Sequence, residues 1–160
     1  MSHVAFIGIG SNLDGPQARV LAAFDALERL PQTRVTGRSP LYRSAPLGGP
    51  PQPDYVNAVA RLETGLAPQA LLAALLTIET TQGRMRGEPN APRTLDLDLL
   101  LYDAERCVQP GLRLPHPRMH ERRFVLAPLV DLEPDAHIPG QGAAAALLAR
   151  CRPQPLERIA

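Results

Sequence analysis

The sequence predicts an α+β fold, a ferredoxin-like βαββαβ sandwich with an additional C-terminal segment. Three observations carry that expectation. Arg93–Tyr102 reads RTLDLDLLLY, where Leu95, Asp96, Leu97, Asp98 and Leu99 alternate with the period of a strand that is buried on one face. Two other stretches repeat their apolar residues at helical spacing, and each is opened by a proline, at Pro16 and Pro68. Finally, the elements come in the order strand, helix, strand, strand, helix, strand, which is the split βαβ arrangement.

The elements follow in order. Val4–Ile9 is an apolar run bounded by Gly8, Gly10, Ser11 and Asn12, as expected of a buried first strand ending in a tight turn, where glycines admit a close-approaching backbone or ligand. Behind Pro16, Val20, Ala23, Phe24, Leu27 and Leu30 make one apolar stripe, which Pro31 ends. Val35–Arg43 reads as a second strand, with Pro40 placing it at an edge or a bulge. Ala45–Asp54 holds Pro46, Gly48, Gly49, Pro50, Pro51 and Pro53, a stiff loop able to wall a pocket. In Tyr55–Glu63, Val56, Ala58, Ala60 and Leu62 fall on one face and Tyr55, Asn57, Val59 and Arg61 on the other. From Pro68 a helix runs through Leu71, Leu72, Leu75, Leu76 and Ile78, with Glu79 near its end and Gly83 as its stop. Past Asp103 the chain is punctuated by proline, with LPHP at Leu114–Pro117. Gly142–Arg150 reads as a short helix, and the tail with Pro153 and Pro155 as peripheral.

In such a sandwich the helices lie on one face of the sheet. With the leucines and Val56, Ala58, Ala60 and Leu62 turned toward them, Asp96, Asp98, Tyr55 and Asn57 share the opposite, open face. Two carboxylates roughly 7 Å apart along a strand repel by about 2.4 kcal/mol at an effective dielectric near ~20, a cost that a divalent cation reverses.

Composition narrows the chemistry. The 160 residues suit one domain, with 1–160 read as a single unit. All 17 basic residues are arginine, so a P-loop lysine, a Schiff-base lysine and a lysine general base are excluded, and a phosphate must be held by arginine, histidine, backbone or metal. A formal net charge of +1 with no basic run points to a small-molecule partner rather than nucleic acid or membrane. Cys107 and Cys151 lack metal-ligand spacing, and with no apolar leader or spanning segment a cytoplasmic location is expected.

Open-face aspartates, arginines at Arg84, Arg86 and Arg93, and His116 held between two prolines describe a site for a metal-bound polyphosphate. Magnesium suits it through hard oxygen ligands and retained waters. Tyr55 and Phe124 offer flat apolar surfaces, and the Asn57 amide offers donors and an acceptor, as a planar heterocycle requires. Packing alone also accounts for Tyr55 and Phe124, and a solvated helix face accounts for Arg118 and His120. Two other functions use the same features, a metal-dependent phosphoesterase and a non-catalytic ferredoxin-like ligand-binding module.

The motifs GSN at Gly10–Asn12, SPLYRSAPLG at Ser39–Gly48, QPDYVNAV at Gln52–Val59, GRMR at Gly83–Arg86, PRTLDLDLLLY at Pro92–Tyr102 and LPHPRMHERRFVLAPL at Leu114–Leu129 together resemble the 6-hydroxymethyl-7,8-dihydropterin pyrophosphokinase family of folate biosynthesis. The resemblance implies a single pterin pyrophosphokinase domain that transfers the terminal pyrophosphoryl group of ATP to the pterin hydroxymethyl oxygen and releases AMP. It implies Asp96 and Asp98 as ligands of two magnesium ions, and Arg84 and Arg93 as phosphate contacts on a mobile loop. Glu79, Arg86, His116 and Arg122 fall on the nucleotide side, while Ser44, Leu47, Tyr55, Asn57 and Phe124 form the pterin pocket, with Ser44 and Leu47 contributing backbone contacts. A monomer is expected. One departure stands out: many members carry a tryptophan in the mobile loop, whereas this chain has none and reads EPNAP at Glu88–Pro92.

Overall fold

The computed structural model describes residues 2–12, 15–45, 51–82 and 95–160. Strand β1 (His3–Ser11) leads to helix α1 (Pro16–Glu28), followed by β2 (Thr33–Arg38), β3 (Tyr42–Ser44), β4 (Tyr55–Thr64), α2 (Pro68–Thr81) and β5 (Asp96–Tyr102). A hairpin of β6 (Cys107–Gln109) and β7 (Leu112–Leu114), a 3-10 turn at Met119–Glu121 and α3 (Arg123–Leu132) come next. The chain ends with β8 (His137–Ile138), β9 (Gly142–Ala143), α4 (Ala144–Arg150) and β10 (Leu156–Arg158).

The main sheet runs β10-β3-β4-β1-β5, with β2 also paired to β4, and each of these pairings is antiparallel. Taken together, β2 and β3 occupy the place of one ferredoxin-like strand. The continuous Val35–Arg43 strand expected from the sequence is thus divided. Pro40 has no N–H to give a ladder, and Ser39 fills the break: its N–H donates to the Val59 carbonyl (2.9 Å) and its Oγ accepts from the Val59 N–H (2.8 Å).

One face of the sheet carries the helices as expected. Val20, Ala23, Phe24 and Leu27 of α1 and Leu71, Leu75 and Ile78 of α2 pack on Ala5, Ile7, Ile9, Val56, Ala58, Ala60, Leu62, Leu95, Leu97 and Leu99. Burying each large side chain contributes about 1.5–3 kcal/mol, which fixes the strand faces, since a slip of one residue would turn the leucines outward.

The opposite face is only half open, a departure from the sequence expectation. Phe6, Val59, Leu100 and Leu101 form a second core with Met119, Val125, Leu126 and Leu129, so the C-terminal helices cover that half. The β1–β5 register shifts there: Ile7 faces Leu99 and Phe6 faces Leu101, leaving Leu100 as the extra residue of a bulge. Where alternation in LDLDLLLY gives way to a leucine run, acid face becomes core.

Two C-terminal expectations also change. The tail is not peripheral: β10 pairs with β3, Leu156 opposite Ser44 and Arg158 opposite Tyr42. The expected helix from Gly142 begins at Ala144, because Gly142 (φ 111°) and Ala143 pair with β8 instead. Among the described residues no helix is long and apolar enough to cross a membrane.

Candidate active site

The uncovered half of the sheet face is built on a row that crosses three strands. Gly10 of β1 lies opposite Asn57 of β4 on one side and Asp96 of β5 on the other, and one step along Gly8 lies opposite Asp98. With strands about 4.8 Å apart, Asn57 and Asp96 stand roughly 10 Å from each other across the glycine. A side chain at Gly10 would crowd Asn57, since a Cβ would sit 3.0 Å from its Nδ2, with Tyr55 Cδ1 in ordinary contact at 3.9 Å. The floor between amide and acid is therefore bare backbone.

At the amide end, Asn57 is 8 % exposed and its Oδ1 accepts a hydrogen bond from the buried Ser44 hydroxyl (2.6 Å). That bond occupies the amide oxygen, and Nδ2 lies over Gly10. Tyr55 is half-buried next to it at the start of β4. Asn12, itself buried, ties down the segment before β4: its Nδ2 donates to Gln52 Oε1 (2.7 Å) and to the Pro53 carbonyl (3.1 Å). Asn12 and the Ser44 hydroxyl have roles that sequence reasoning had not given them. Their only signal was membership in the GSN and SPLYRSAPLG motifs.

At the acid end, Glu79 lies beneath the strand instead of in the open cleft. It is 2 % exposed, and its Oε2 accepts the Leu97 N–H at 2.7 Å. Leu97 separates Asp96 from Asp98, so the helix α2 carboxyl group pins the backbone that presents both acids. Among the described residues β5 is the sheet's edge, and this contact satisfies a donor that no further strand there accepts.

His116 is fixed on the same edge by its own N–H, which donates to the Leu100 carbonyl (2.9 Å). Its Nδ1 accepts from the Arg118 N–H (3.2 Å), which places the proton of the neutral ring on Nε2, 4.0 Å from Asp98 Oδ1. Burial, reinforced by the Arg122 guanidinium and opposed by Asp96, pushes the His116 pKa down to about 4. At neutral pH the ring thus offers a neutral N–H donor beside the acids. Arg122 also stacks its guanidinium 5.7 Å from the Phe124 ring centroid, joining the two at the start of α3.

The structure therefore brings together Ser44, Tyr55 and Asn57 at one end and Asp96, Asp98 and His116 at the other, with Arg122 and Phe124 joined at the start of α3. Arg84, Arg86, Arg93 and Leu47 lie outside the described residues. No cluster of three or more His, Cys, Asp and Glu side chains able to hold a metal gathers among the described residues. Asp96 and Asp98 are thus a two-carboxylate contribution that fits a hard cation sharing its remaining positions with phosphate oxygens and water.

Comparison with known proteins follows the same lines. The family profile described as 7,8-dihydro-6-hydroxymethylpterin-pyrophosphokinase (HPPK) matches residues 6–134. A 2-amino-4-hydroxy-6-hydroxymethyldihydropteridine pyrophosphokinase from Pseudomonas aeruginosa is 49 % identical over 159 residues, covering 99 % of this chain and 98 % of the relative. The folic acid synthesis protein fol1 of Schizosaccharomyces pombe is 37 % identical over 136 residues, 84 % of this chain but 18 % of that longer protein. In fold, the chain is similar to the Plasmodium falciparum HPPK-DHPS crystallised with pteroate, with a TM-score of 0.74 and 12 % identity. That alignment covers 94 % of this chain, which spans 42 % of the solved one.

Proposed function

This chain belongs to the 7,8-dihydro-6-hydroxymethylpterin-pyrophosphokinase family, a pyrophosphokinase of folate biosynthesis, and from that premise we propose how its residues divide the work. The residues form one catalytic domain. The pterin lies over Gly10, its amide-like edge on Asn57 and its ring between Tyr55 and Phe124, with Ser44 and Leu47 contributing backbone contacts as the family resemblance implies. Its hydroxymethyl group points along the glycine floor toward Asp96 and Asp98. The observation that carries this reading is the Asn57–Gly10–Asp96 row, which sets a heterocycle anchor and an acid pair on one bare floor.

Transfer is an in-line displacement in which the hydroxymethyl oxygen forms a bond to the β-phosphorus of ATP and loses its proton to solvent water. The bond from that phosphorus to the oxygen bridging to the α-phosphate breaks, and AMP leaves. Asp96 and Asp98 would hold two magnesium ions, which would neutralise phosphate charge. His116 donates its Nε2 proton as a neutral hydrogen bond to the nucleotide phosphates. Arg122, with Glu79 behind the strand, completes the nucleotide side, and Arg84, Arg86 and Arg93 supply further phosphate contacts as the family resemblance implies. Positioning and charge neutralisation provide most of the acceleration, so no strong general base is required. The chain works as a monomer, and in the cytoplasm; two free, half-buried cysteines, Cys107 and Cys151, support a reducing compartment.

The test is coupled detection of AMP with magnesium and ATP, with and without 6-hydroxymethyl-7,8-dihydropterin. AMP that requires the pterin is expected. Phosphodiester hydrolysis without pterin would move the reading to a phosphoesterase, and pterin binding with no ATP consumed would move it to a ligand-binding module.

A further inference from the structure

The family profile ends at residue 134, yet a segment well beyond it returns to the pterin side of the site. Strand β3 has only three residues, Tyr42–Ser44, and it follows Pro40, which gives no ladder bond. So short a strand, at an edge, is poorly held by one neighbour. Here β4 flanks it on one side, Ser44 opposite Tyr55, and β10 on the other, Ser44 opposite Leu156. Beyond the paired residues the tail keeps its grip: the Ile159 N–H donates to the Leu41 carbonyl (2.9 Å) and the Leu41 N–H to the Ala160 carbonyl (3.1 Å). At the opposite end Gln154 Nε2 donates to the Ala45 carbonyl (3.4 Å). The clamp thus spans residues 41–45, and Ser44 within it carries the hydroxyl that bonds Asn57 Oδ1 at 2.6 Å.

We infer that the C-terminal strand β10 is a positioning element of the pterin pocket: by clamping β3 from the side opposite β4 it holds Ser44, and through Ser44 the Asn57 amide that faces Gly10. The inference rests on the reading of Asn57 as a pterin contact. It assigns residues 154–160 no contact with either substrate. The Asp96, Asp98 and His116 end of the site shares no hydrogen bond with this tail among the described residues, so the effect is confined to one ligand.

The experiment uses the full chain with Ile159→Pro and Gln154→Ala combined, which removes one tail N–H and one side-chain donor. Calorimetry titrates a non-hydrolysable ATP analogue with magnesium, then 6-hydroxymethyl-7,8-dihydropterin into the saturated complex. Loosening one buried hydrogen bond should raise the pterin Kd about fivefold to tenfold, with the analogue Kd and the kcat at saturating pterin within about twofold of the parent. Ile159→Val with Gln154 intact should bind pterin as the parent does. In a double-mutant cycle, Ser44→Ala and the tail variant should lose less together than the sum of their separate losses, because they break one chain of contacts.

Asn57→Ala separates the two layers of the argument. If it weakens pterin binding and the tail variant does not, the inference is overturned while the pocket reading stands. If Asn57→Ala leaves pterin binding unchanged, the pocket reading fails and the inference falls with it. Equal weakening of both ligands in the tail variant, or strictly additive losses with Ser44→Ala, would mark a general destabilisation and would also overturn it.

Discussion

Replacing Glu79 tests the support of the acid strand directly. The carboxyl group is 2 % exposed and accepts the Leu97 N–H at 2.7 Å, so Glu79→Ala leaves a buried backbone donor without that partner. An unsatisfied buried donor costs about 1–3 kcal/mol. For a chain of this size each kcal/mol lowers Tm by about 2–4 °C, so a mid-range loss of about 2 kcal/mol predicts a fall of about 4–8 °C. Glu79→Gln keeps a carbonyl acceptor in the same place and should lose less than half of that. The melt is followed by far-UV circular dichroism with neither nucleotide nor magnesium present. Under those conditions a residue whose only role is to touch ATP predicts no change, whereas a residue that pins Leu97 does. Because Leu97 separates Asp96 from Asp98, a backbone shift there of about 1 Å would also slow turnover by on the order of 10²-fold. An Ala variant that melts within about 1 °C of the parent, against the cost expected for a bare donor, would refute the account of Glu79 as the strand's support.

Three further outcomes follow from the same geometry. Asp96→Asn and Asp98→Asn, each alone, should lower pterin-dependent AMP formation by on the order of 10²-fold or more at saturating magnesium, and near-normal turnover in either would remove that residue from the proposed metal site. Gly10→Ala brings a methyl group to 3.0 Å from Asn57 Nδ2; the pterin Kd should rise about tenfold, as overpacking of this kind costs 1–3 kcal/mol, and an unchanged Kd would mean that the ligand does not use this floor. His116 is held near pKa 4 in the folded protein, below the ordinary value of 6.5, so the unfolded chain binds the proton more readily between those limits. Stability of the ligand-free protein should therefore be fully present above about pH 6.5, fall as pH drops toward about 4, and fall less steeply in His116→Gln; urea unfolding at a series of pH values measures it.

The parts of the site legible in the sequence are those set by local period. Alternation alone put Asp96 and Asp98 on one face, and Tyr55 and Asn57 on the corresponding face of β4, because a strand's side-chain period of two leaves no other option once Leu97, Leu99, Val56 and Ala58 are buried. What escaped was non-local. The bond from Glu79 to Leu97 joins residues eighteen apart, and no spacing rule connects a helix end to the backbone of a later strand. Strand β10 is three residues, Leu156–Arg158, following Pro153 and Pro155; a segment so short shows no periodicity, and only its partner β3 gives it a conformation. Pro40 was visible as a break, but the break's consequence, that β3 becomes a separate strand needing a second neighbour, depends on where Ser39 turns back to Val59.

The division of the sheet face explains why the site lies where it does. In DLDLLLY the polar period ends at Leu99, and the bulge at Leu100 turns Leu100 and Leu101 into the same apolar cluster under α3. On β1 the matching change is from Gly10 and Gly8 to Phe6, and on β4 from Asn57 to Val59. Three strands thus switch from small or polar to large and apolar at nearly the same level, and α3 can cover only the apolar side of that line. The residues that start α3, Arg122 and Phe124, consequently fall at the boundary, with the Arg122 guanidinium acting on His116 across it. A substitution that extended the apolar side, such as Asp98→Leu, would remove the acid and also invite the cover to advance over the floor. The charge of the acid pair resists burial, which keeps that half of the sheet uncovered by α3.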